Sequence, residues 1–349
     1  MRLRTLVVPV LAFGVVLAAA VPAGAHPHRP PSWKLRPTGS TQQFRGLAAV
    51  SHDVAWLAGT SGTVLRTSDG GRHWADVSPA GASALQFRDV EAWDARNAVA
   101  LTIGNGTDSR VYRTSDGGGS WQVAFTNEDP AAFYDCLAFF NPRDGLAVSD
   151  PVDGKFRLIA THDGGRSWTV VSPAGMPAAL PGEFGFAASG TCLVTSGHDA
   201  WIASGGGSSA RVFHSRDLGR SWTVADTPVV VGPSAGIYSL AVSGQRTLAA
   251  VGGDYTAPDA RVDVAATSGD GGRSWRLASE MTGGYRSGVA YVGSRSLVAV
   301  GPTGSDVSAD GGRTWTTFDT GYFDTVQRAR DGAVWASGKD GRVAVLDPR

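Results

Sequence analysis

The stretch Thr67-Ser68-Asp69-Gly70-Gly71-Arg72-His73-Trp74 is the first of six similar octapeptides in the chain. The later copies end at Trp121, Trp168, Trp222, Trp275 and Trp315, so that neighbouring copies lie 40 to 54 residues apart. Their aspartates are Asp69, Asp116, Asp163, Asp217, Asp270 and Asp310. A period of this length indicates a repeat protein in which each unit is one supersecondary element.

The shared pattern, Ser/Thr-x-Asp-x-Gly-x-x-Trp, is typical of a tight turn between two antiparallel strands. Aspartate accepts hydrogen bonds from the backbone N–H groups of a turn, and glycine supplies the positive φ that such turns need. The tryptophan can fold back onto the local core. We therefore expect the six aspartates to be structural. A calcium site is not predicted, because each copy offers one carboxylate and no neighbouring acid at EF-hand spacing.

The residues around each octapeptide form short strand patterns, which around the first copy are Leu47–Val50, Val54–Ala58, Thr63–Arg66 and Trp74–Val77. Four strands in a unit of about 40–50 residues make the blade of a β-propeller. A seventh unit follows between Val326 and Leu346 and lacks its fourth strand, whereas Ser32–Leu35 matches the sequence after the octapeptides. We predict an all-β, seven-bladed propeller of four-stranded antiparallel blades, in which this N-terminal strand completes the last blade. Six blades with an appendage is the alternative.

The octapeptide resembles the Asp-box, or BNR repeat, of sialidase-like and photosystem II assembly factor-like proteins. Phe44-Arg45-Gly46, Phe87-Arg88-Asp89 and Val251-Gly-Gly-Asp-Tyr255 are similar to sequences of the secreted bacterial relatives of the photosystem II stability/assembly factor family. The resemblance implies a propeller that binds partner proteins through arginines on one face. It implies this role for Arg45, Arg88 and Arg286.

Charge and composition exclude several other functions. The chain has 31 Lys and Arg against 31 Asp and Glu, so it lacks the positive field that nucleic-acid binding requires. Its 7 histidines show no zinc-ligand spacing, and Gly205-Gly-Gly falls on a predicted loop without a βαβ unit. We therefore predict no nucleic-acid partner, no metal and no cofactor.

The N-terminus has the order of segments found in a secretory signal peptide. Arg2 and Arg4 precede an apolar run from Leu6 to Val21, and small residues follow up to Ala25. Pro9 interrupts the run, which is shorter than the ~20 apolar residues of a membrane-spanning helix. We expect cleavage after Ala25, which removes residues 1–25 and leaves residues 26–349 as a single propeller domain. This domain is expected to be secreted, monomeric and not inserted in a membrane.

The chain has 2 cysteines, Cys136 and Cys192, and both are predicted on the first strands of adjacent blades. Export to an oxidising compartment favours a disulfide between them. Two buried thiols that act as small hydrophobic side chains are the alternative.

The candidate ligand site is the channel mouth, which is the face that carries the starts of the first strands and the loops between second and third strands. A ring of side chains is predicted at the second position of each start, namely Arg45, Arg88, Tyr134, Tyr238, Arg286 and Asp324. Adjacent positions and long loops on this face add Asp135, Asp150, Glu183, Asp254 and Tyr255. Because added length on one face of a repeat protein commonly builds a binding surface, we expect a site across blades 3 to 5.

Two functions are compatible with these residue types. The first is a binding or assembly role towards a protein or glycan partner. The second is a sialidase-like glycoside hydrolase, with a substrate carboxylate on the three arginines and Tyr238 or Tyr255 as nucleophile. Glu183 or Glu128 would activate the tyrosine, and Asp150 would be the acid. The Arg-Ile-Pro signature of sialidases is absent, with Arg45-Gly-Leu in its place. The binding role is therefore favoured, and no catalytic residue is assigned.

Overall fold

Seven antiparallel sheets account for the strands of the computed structural model, which describes residues 31–347 together with Met1 and Leu3. The prediction of an all-β, seven-bladed propeller is therefore confirmed. The helices in these residues are three short 3₁₀ turns at Gly106–Asp108, Pro173–Gly175 and Lys339–Gly341, and none is long and apolar enough to span a membrane. The predicted signal peptide, residues 1–25, lies outside the described residues apart from Met1 and Leu3.

Blades 1 to 4 follow one another along the chain. Blade 1 contains Phe44–Ala49, Ala55–Gly59, Val64–Thr67 and Ala75–Asp76. Blade 2 contains Gln86–Ala92, Ala98–Ile103, Arg110–Thr114 and Gln122–Thr126. Blade 3 contains Tyr134–Phe139, Gly145–Val152, Lys155–Thr161 and Thr169–Val170. Blade 4 contains Leu193–Ser196, Asp199–Ala203, Arg211–Ser215 and Thr223–Asp226.

Blade 5 differs from the others because two short strands extend its sheet. Its main strands are Ala235–Ser243, Thr247–Asp254, Ala265–Ser268 and Arg276–Leu277. Gly205–Gly206 pairs with its first strand, and Glu183–Phe184 pairs with Gly205–Gly206. Blade 6 contains Gly288–Tyr291, Leu297–Gly301, Gly304–Ser308 and Thr316–Asp319. Blade 7 contains Thr325–Arg328, Val334–Ser337, Val343–Leu346 and the N-terminal strand Trp33–Leu35.

The N-terminal strand closes the ring of blades, as predicted. Trp33 lies opposite Leu346, and Leu35 lies opposite Ala344, in an antiparallel pair. The indole of Trp33 packs 5.2 Å from the ring of Phe323 and donates a hydrogen bond to Ser305 Oγ of blade 6 over 3.0 Å. Because the strand covers the outer side of Val343–Leu346, that strand is not left as a free sheet edge.

The octapeptide turns show the hydrogen bonding that the sequence predicts. In the third turn, Asp163 Oδ1 accepts the N–H of Arg166 over 2.9 Å and that of Ser167 over 3.0 Å, and Oδ2 accepts the Ser167 hydroxyl over 2.7 Å. The hydroxyl of Thr161 completes the turn by donating to Asp163 and accepting the N–H of Gly165. Although burial opposes ionisation, the bonds from Ser167 and the other donors lower the pKa of Asp163 to about 2.

Tryptophans on the second strands join neighbouring blades. Trp56, Trp201 and Trp335 are fully buried. Each donates its indole N–H to a backbone carbonyl of the next blade, from Trp56 to Asp94, from Trp201 to Gly271 and from Trp335 to Ser51. A large apolar side chain whose polar atom is satisfied can stabilise a blade interface without a desolvation penalty.

A disulfide joins blades 3 and 4. Cys136 lies on the first strand of blade 3, and Cys192 directly precedes the first strand of blade 4. Both residues are fully buried. The structure thus forms the pair that the sequence favours.

Candidate binding site at the channel mouth

Four first strands contain a β-bulge in their first half, and the bulge determines which side chain faces the mouth. In blade 1, Phe44 pairs with Gly59 and Gly46 pairs with Ala58, which leaves Arg45 without an opposite residue. The equivalent unpaired residues of blades 2, 3 and 5 are Arg88, Asp135 and Tyr238. A bulge takes its extra residue out of the in–out alternation of a strand and so redirects its side chain.

The position predicted for blade 3 is therefore wrong by one residue. Tyr134 takes the paired position of Phe44, and Asp135 takes the position of Arg45. Tyr134 is 1% exposed, packs edge-on against Phe125 and has no hydrogen-bond partner for its hydroxyl. Burial raises the pKa of Tyr134 to about 12. It belongs to the core and does not line the mouth.

Arg45 and Arg88 bring two guanidinium groups close together on neighbouring blades. Burial, followed by repulsion from Arg45, lowers the pKa of Arg88 to about 10. The Nε atoms of both arginines are buried and make no hydrogen bond, and Arg88 donates one bond to Gln86 Oε1 over 3.1 Å. Because the buried Nε atoms cannot reach a ligand, a ligand at the mouth would be bound by the terminal Nη groups of the two arginines.

Asp324 of blade 7 is the carboxylate that these arginines share. Arg45 Nε lies 3.4 Å from Asp324 Oδ1, and attraction from Arg88 also acts on Asp324. Gln43 donates to Asp324 Oδ2 over 2.8 Å, and the Tyr322 hydroxyl donates to Oδ1 over 3.2 Å. Burial nevertheless raises the pKa of Asp324. One buried carboxylate thus faces two guanidinium groups, which leaves an excess of positive charge.

A pocket of about 350 Å³ opens beside Arg45, and we call it the mouth pocket. Four tyrosines line it with Phe186, and these are Tyr238, Tyr255, Tyr285 and Tyr322. The lining residues come from the starts or turns of blades 5, 6, 7 and 1 and from the loop before blade 4. The mouth pocket thus includes blade 5 and the loop before blade 4 from the expected range of blades 3 to 5, and extends beyond that range to blades 6, 7 and 1.

The deep walls of the mouth pocket are aromatic and uncharged. Phe186 stacks on Tyr238 with ring centres 3.8 Å apart, and Tyr285 packs edge-on against Tyr238 at 4.7 Å. The Tyr238 hydroxyl donates to the Ser234 carbonyl over 2.7 Å. Burial raises the pKa of both tyrosines far above the usual range, so both remain neutral. Tyr255 differs because it is 56% exposed and forms the rim.

Two predicted site residues, Arg286 and Glu183, form buried ion pairs. Arg286, fully buried, donates from Nε to Asp306 Oδ2 over 2.5 Å and from Nη1 to Thr303 Oγ1 over 2.9 Å. Glu183 accepts from Arg211 Nε over 2.9 Å and from the Ser204 hydroxyl over 2.6 Å. The prediction that Arg286 points into the mouth is wrong, because its guanidinium neutralises Asp306 inside blade 6.

Asp254 supports the loop that carries Tyr255. Its Oδ1 accepts the N–H of Thr256 and the hydroxyls of Thr256 and Ser234 over 2.6 to 2.8 Å. These bonds, led by that from the Thr256 hydroxyl, lower the pKa of Asp254. Asp254 thus holds the rim in place.

The chemistry required of a sialidase is not assembled by these contacts. Arg286 is separated from Arg45 and Arg88 by its burial, and Glu183 is bonded to Arg211 rather than to a tyrosine. The Tyr238 hydroxyl bonds to a backbone carbonyl, so no base activates it. In the described part of the chain, no three His, Cys, Asp or Glu side chains are grouped so that they could hold a metal ion.

Residues 183–191, which we call the crossing segment, run across the mouth from the short strand Glu183–Phe184, which extends the sheet of blade 5, to the disulfide at Cys192. The N–H of Gly185 donates to Asp150 of blade 3 over 2.7 Å. Phe186 stacks on blade 5, and the Ser189 carbonyl accepts the Thr325 hydroxyl of blade 7 over 3.1 Å. A Cβ on Gly190 would lie 2.3 Å from Asp89 Oδ1 of blade 2. A segment that contacts blades on opposite sides of the ring must lie over the central channel.

Several solved structures are similar to this one. YCF48 bound to a D1 peptide matches with a TM-score of 0.65 and 15% identity over 95% of this chain and 100% of that chain. YCF48 from Cyanidioschyzon merolae matches with a TM-score of 0.63 and 17% identity over 90% and 99% of the two chains. The chain shares the fold of these proteins. At such low identities the likeness establishes the fold alone.

A glycoside hydrolase is also among the similar structures. The GH74 xyloglucanase from Xanthomonas campestris matches with a TM-score of 0.62 and 18% identity over 90% of this chain, but over 53% of its own chain. No family model and no curated protein matches the chain.

Sequence reasoning did not select Tyr285, Tyr322 and Phe186 as site residues. Tyr285 immediately precedes the predicted ring position Arg286, and Tyr322 lies two residues before Asp324. An aromatic side chain so close to a ring position is a signal that could have identified both as site residues. Phe186 lies in a loop, where neither strand periodicity nor repeat spacing indicates what a side chain will contact. Its stacking on Tyr238 depends on the path of the crossing segment.

Proposed function

We propose that this protein binds a partner protein by taking a carboxylate-bearing peptide segment into the mouth pocket. The observation that carries the proposal is the pairing of Arg45 and Arg88 around one buried carboxylate, Asp324. A second carboxylate, supplied by the partner, would balance the charge and use the guanidinium donors that remain free. Guanidinium groups bind carboxylates in a two-point geometry that a single lysine cannot offer.

The aromatic walls define what accompanies the carboxylate. The neutral rings of Phe186, Tyr238 and Tyr285 lie next to Arg45 in the same pocket. An apolar side chain beside the carboxylate would be desolvated there, and buried aromatic anchors commonly dominate the affinity of an interface. The exposed Tyr255 would cover the ligand from the rim. One of the similar structures is YCF48 bound to a D1 peptide, and this likeness supports a peptide as ligand.

A glycan is the less favoured ligand. Sugars stack on free aromatic faces, whereas Phe186 and Tyr238 cover one another and Tyr285 packs with its edge against Tyr238.

We further propose that the six octapeptide turns are Asp-box repeats. The N-terminal pattern supports secretion after cleavage behind Ala25, and the protein is proposed to act as a monomer.

The test is binding of fluorescein-labelled decapeptides that end in Leu or Phe, each made with a free C-terminal carboxylate and with a C-terminal amide. Fluorescence anisotropy is measured with the wild type, with the double variant Arg45→Gln/Arg88→Gln and with Arg276→Gln. Arg276 is an exposed residue on the fourth strand of blade 5 and serves as a matched charge control.

The expected result is that the free carboxylate binds at least tenfold more tightly than the amide and that the double variant loses this preference, whereas Arg276→Gln retains it. Loss of a charged hydrogen bond of ~1.5–3 kcal/mol accounts for such a change. Equal affinity for carboxylate and amide peptides, or an unchanged preference in the double variant, would contradict the proposal. Binding of oligosaccharides, with no binding of any peptide, would show that the ligand is a glycan and not a protein segment.

A further inference from the structure

The crossing segment forms one wall of the mouth pocket and is held by individual side-chain contacts. Gly185, Phe186, Ala188 and Ser189 are buried although they belong to no strand. Ion pairing of Glu183 fixes one end of the segment, and the disulfide at Cys192 fixes the other. Between these ends the wall of the pocket depends on the contacts that the segment makes with the blades.

Two carboxyl groups of blade 3 meet the segment at Gly185. The Gly185 N–H donates to Asp150 Oδ1 over 2.7 Å. A Cβ built on Gly185 would lie 2.9 Å from Asp135 Oδ2 and 3.7 Å from Asp150 Oδ1, so both oxygens face the same point of the segment. Asp135 is 2% exposed, and its Oδ2 is buried without a hydrogen-bond partner.

Within residues 31–347, no lysine or arginine forms a salt bridge with either carboxyl group. The charged groups that face the segment are Glu183, which is bonded to Arg211, Asp89, which accepts the N–H groups of Val90 and Leu137, and the pair Arg45 and Asp324 across the mouth pocket. Burial raises the pKa of Asp89 well above its usual range. Burial, with repulsion from Asp150 as the second cause, raises the pKa of Asp135 well above its usual range. Burial also raises the pKa of Asp150 to about 6.

We propose that Asp135 and Asp150 form a proton-dependent latch that holds the crossing segment closed over the mouth and thereby holds one wall of the mouth pocket in place. In the closed state both carboxyl groups are desolvated side by side, so the closed state binds protons more tightly than an open state in which water reaches them. Protonation therefore favours closure, and rising pH favours opening. The inference rests on the proposed function for the statement that this wall contacts a ligand, whereas the latch itself does not depend on it.

The expected size of the effect follows from Asp150. Its carboxyl changes from a pKa of about 6 when closed to the ordinary value of 3.8 when open. Linkage then gives an opening equilibrium roughly tenfold larger at pH 8 than at pH 5, and release of the Asp135 proton adds to this. At pH values well above the pKa of Asp150 in the closed state, its carboxyl group is ionised in both states. It then makes no further contribution to the opening equilibrium.

The latch is tested by hydrogen–deuterium exchange of residues 183–191 in the full protein between pH 5 and pH 8, with rates corrected for the intrinsic pH dependence of exchange. The double variant Asp135→Asn/Asp150→Asn replaces both carboxyl groups with amides that keep an acceptor oxygen for Gly185 but cannot ionise. Asp153→Asn is the control, because Asp153 is an exposed residue in the turn of the same blade, with a φ of 53° that asparagine tolerates. If the double variant does not fold, Asp150→Asn alone tests the same point.

The corrected opening is expected to rise about tenfold or more from pH 5 to pH 8 in the wild type and in Asp153→Asn. In the double variant the rise is expected to be smaller, and what remains is the contribution of Asp89 beside Gly190. An opening that is independent of pH in the wild type, or that rises equally in the double variant, would overturn the latch. A second arm repeats the exchange with the carboxylate decapeptides described above. Slower opening in their presence would link the latch to the ligand, whereas a pH-dependent segment that no peptide affects would retain the latch and contradict the proposed function.

Discussion

Leu218 adopts, in the fourth octapeptide turn, the left-handed backbone conformation that Gly164 adopts in the third. The φ angle of Leu218 is 62°, and that of Gly164 is 76°. A side chain at positive φ brings its Cβ close to the following carbonyl oxygen, which costs roughly 1–2 kcal/mol for a residue other than glycine. In the fourth turn, Leu218 therefore adopts a backbone conformation that leucine disfavours.

Leu218→Gly is accordingly expected to stabilise the protein. The relief of strain exceeds the added conformational entropy of the unfolded chain, so we expect a gain of about 0.5–1 kcal/mol in the free energy of unfolding. Denaturant unfolding of both proteins measures this gain. Gly164→Leu is the reverse substitution and should lower the stability, since its Cβ would also lie 3.0 Å from the Pro142 carbonyl. A destabilised Leu218→Gly variant would show that packing of the leucine outweighs its strain.

The octapeptide turns should make stability depend on pH below 4. Asp163 has a folded pKa of about 2 against an ordinary value of 3.8, so its stabilising effect is present above 3.8 and is lost as the pH falls towards 2. Asp163→Asn keeps an acceptor oxygen without a charge. It is expected to reduce the loss of stability between pH 6 and pH 2.5 by about 1 kcal/mol, a value discounted for solvent screening. Urea unfolding at the two pH values measures this, and an identical loss in both proteins would contradict it.

Arg286→Met should destabilise the fold without changing the ligand preference of the folded protein. The substitution leaves Asp306 buried without its cation, and breaking a buried ion pair costs about 3–5 kcal/mol. The double variant Arg286→Met/Asp306→Asn is expected to recover part of this loss. Denaturant unfolding gives the stabilities, and anisotropy with the carboxylate decapeptides gives the preference. A loss of carboxylate preference in the folded variant would show that Arg286 contributes to ligand binding after all.

Removal of the Trp33 side chain should weaken the closure of the ring. Trp33→Ala loses the contact with Phe323 and the hydrogen bond to Ser305, and we expect a loss of about 2–3 kcal/mol, because the side chain is only partly buried. Lys34→Ala is the control. Its ion pair with Asp347 lies on the surface, so the expected loss is about 0.5 kcal/mol or less. Equal denaturation midpoints for wild type and Trp33→Ala would show that the other strands hold blade 7 unaided.

The candidate site was predictable only in part. The positions of Arg45, Arg88 and Tyr238 follow from repeat alignment, because the same place in each blade reaches the same face. Alignment failed by one residue in blade 3, where the bulge falls on Asp135 instead of Tyr134. The location of a bulge depends on pairing with the second strand, and that pairing is not visible in the residues of the first strand alone.

The sequence by itself determined the propeller architecture, the chemistry of the octapeptide turns and the strand that matches the missing one of the last blade, whereas the structure decided between six and seven blades. These features are local or periodic: an octapeptide contains its own donors and acceptors, and seven similar units can bury their faces only against one another. The tertiary structure alone decided that Arg286 would neutralise Asp306, that Glu183 would bind Arg211 and that Phe186 would stack on Tyr238. A charged or aromatic side chain can satisfy the same physical need with any of several distant partners, and only the distances between them select one.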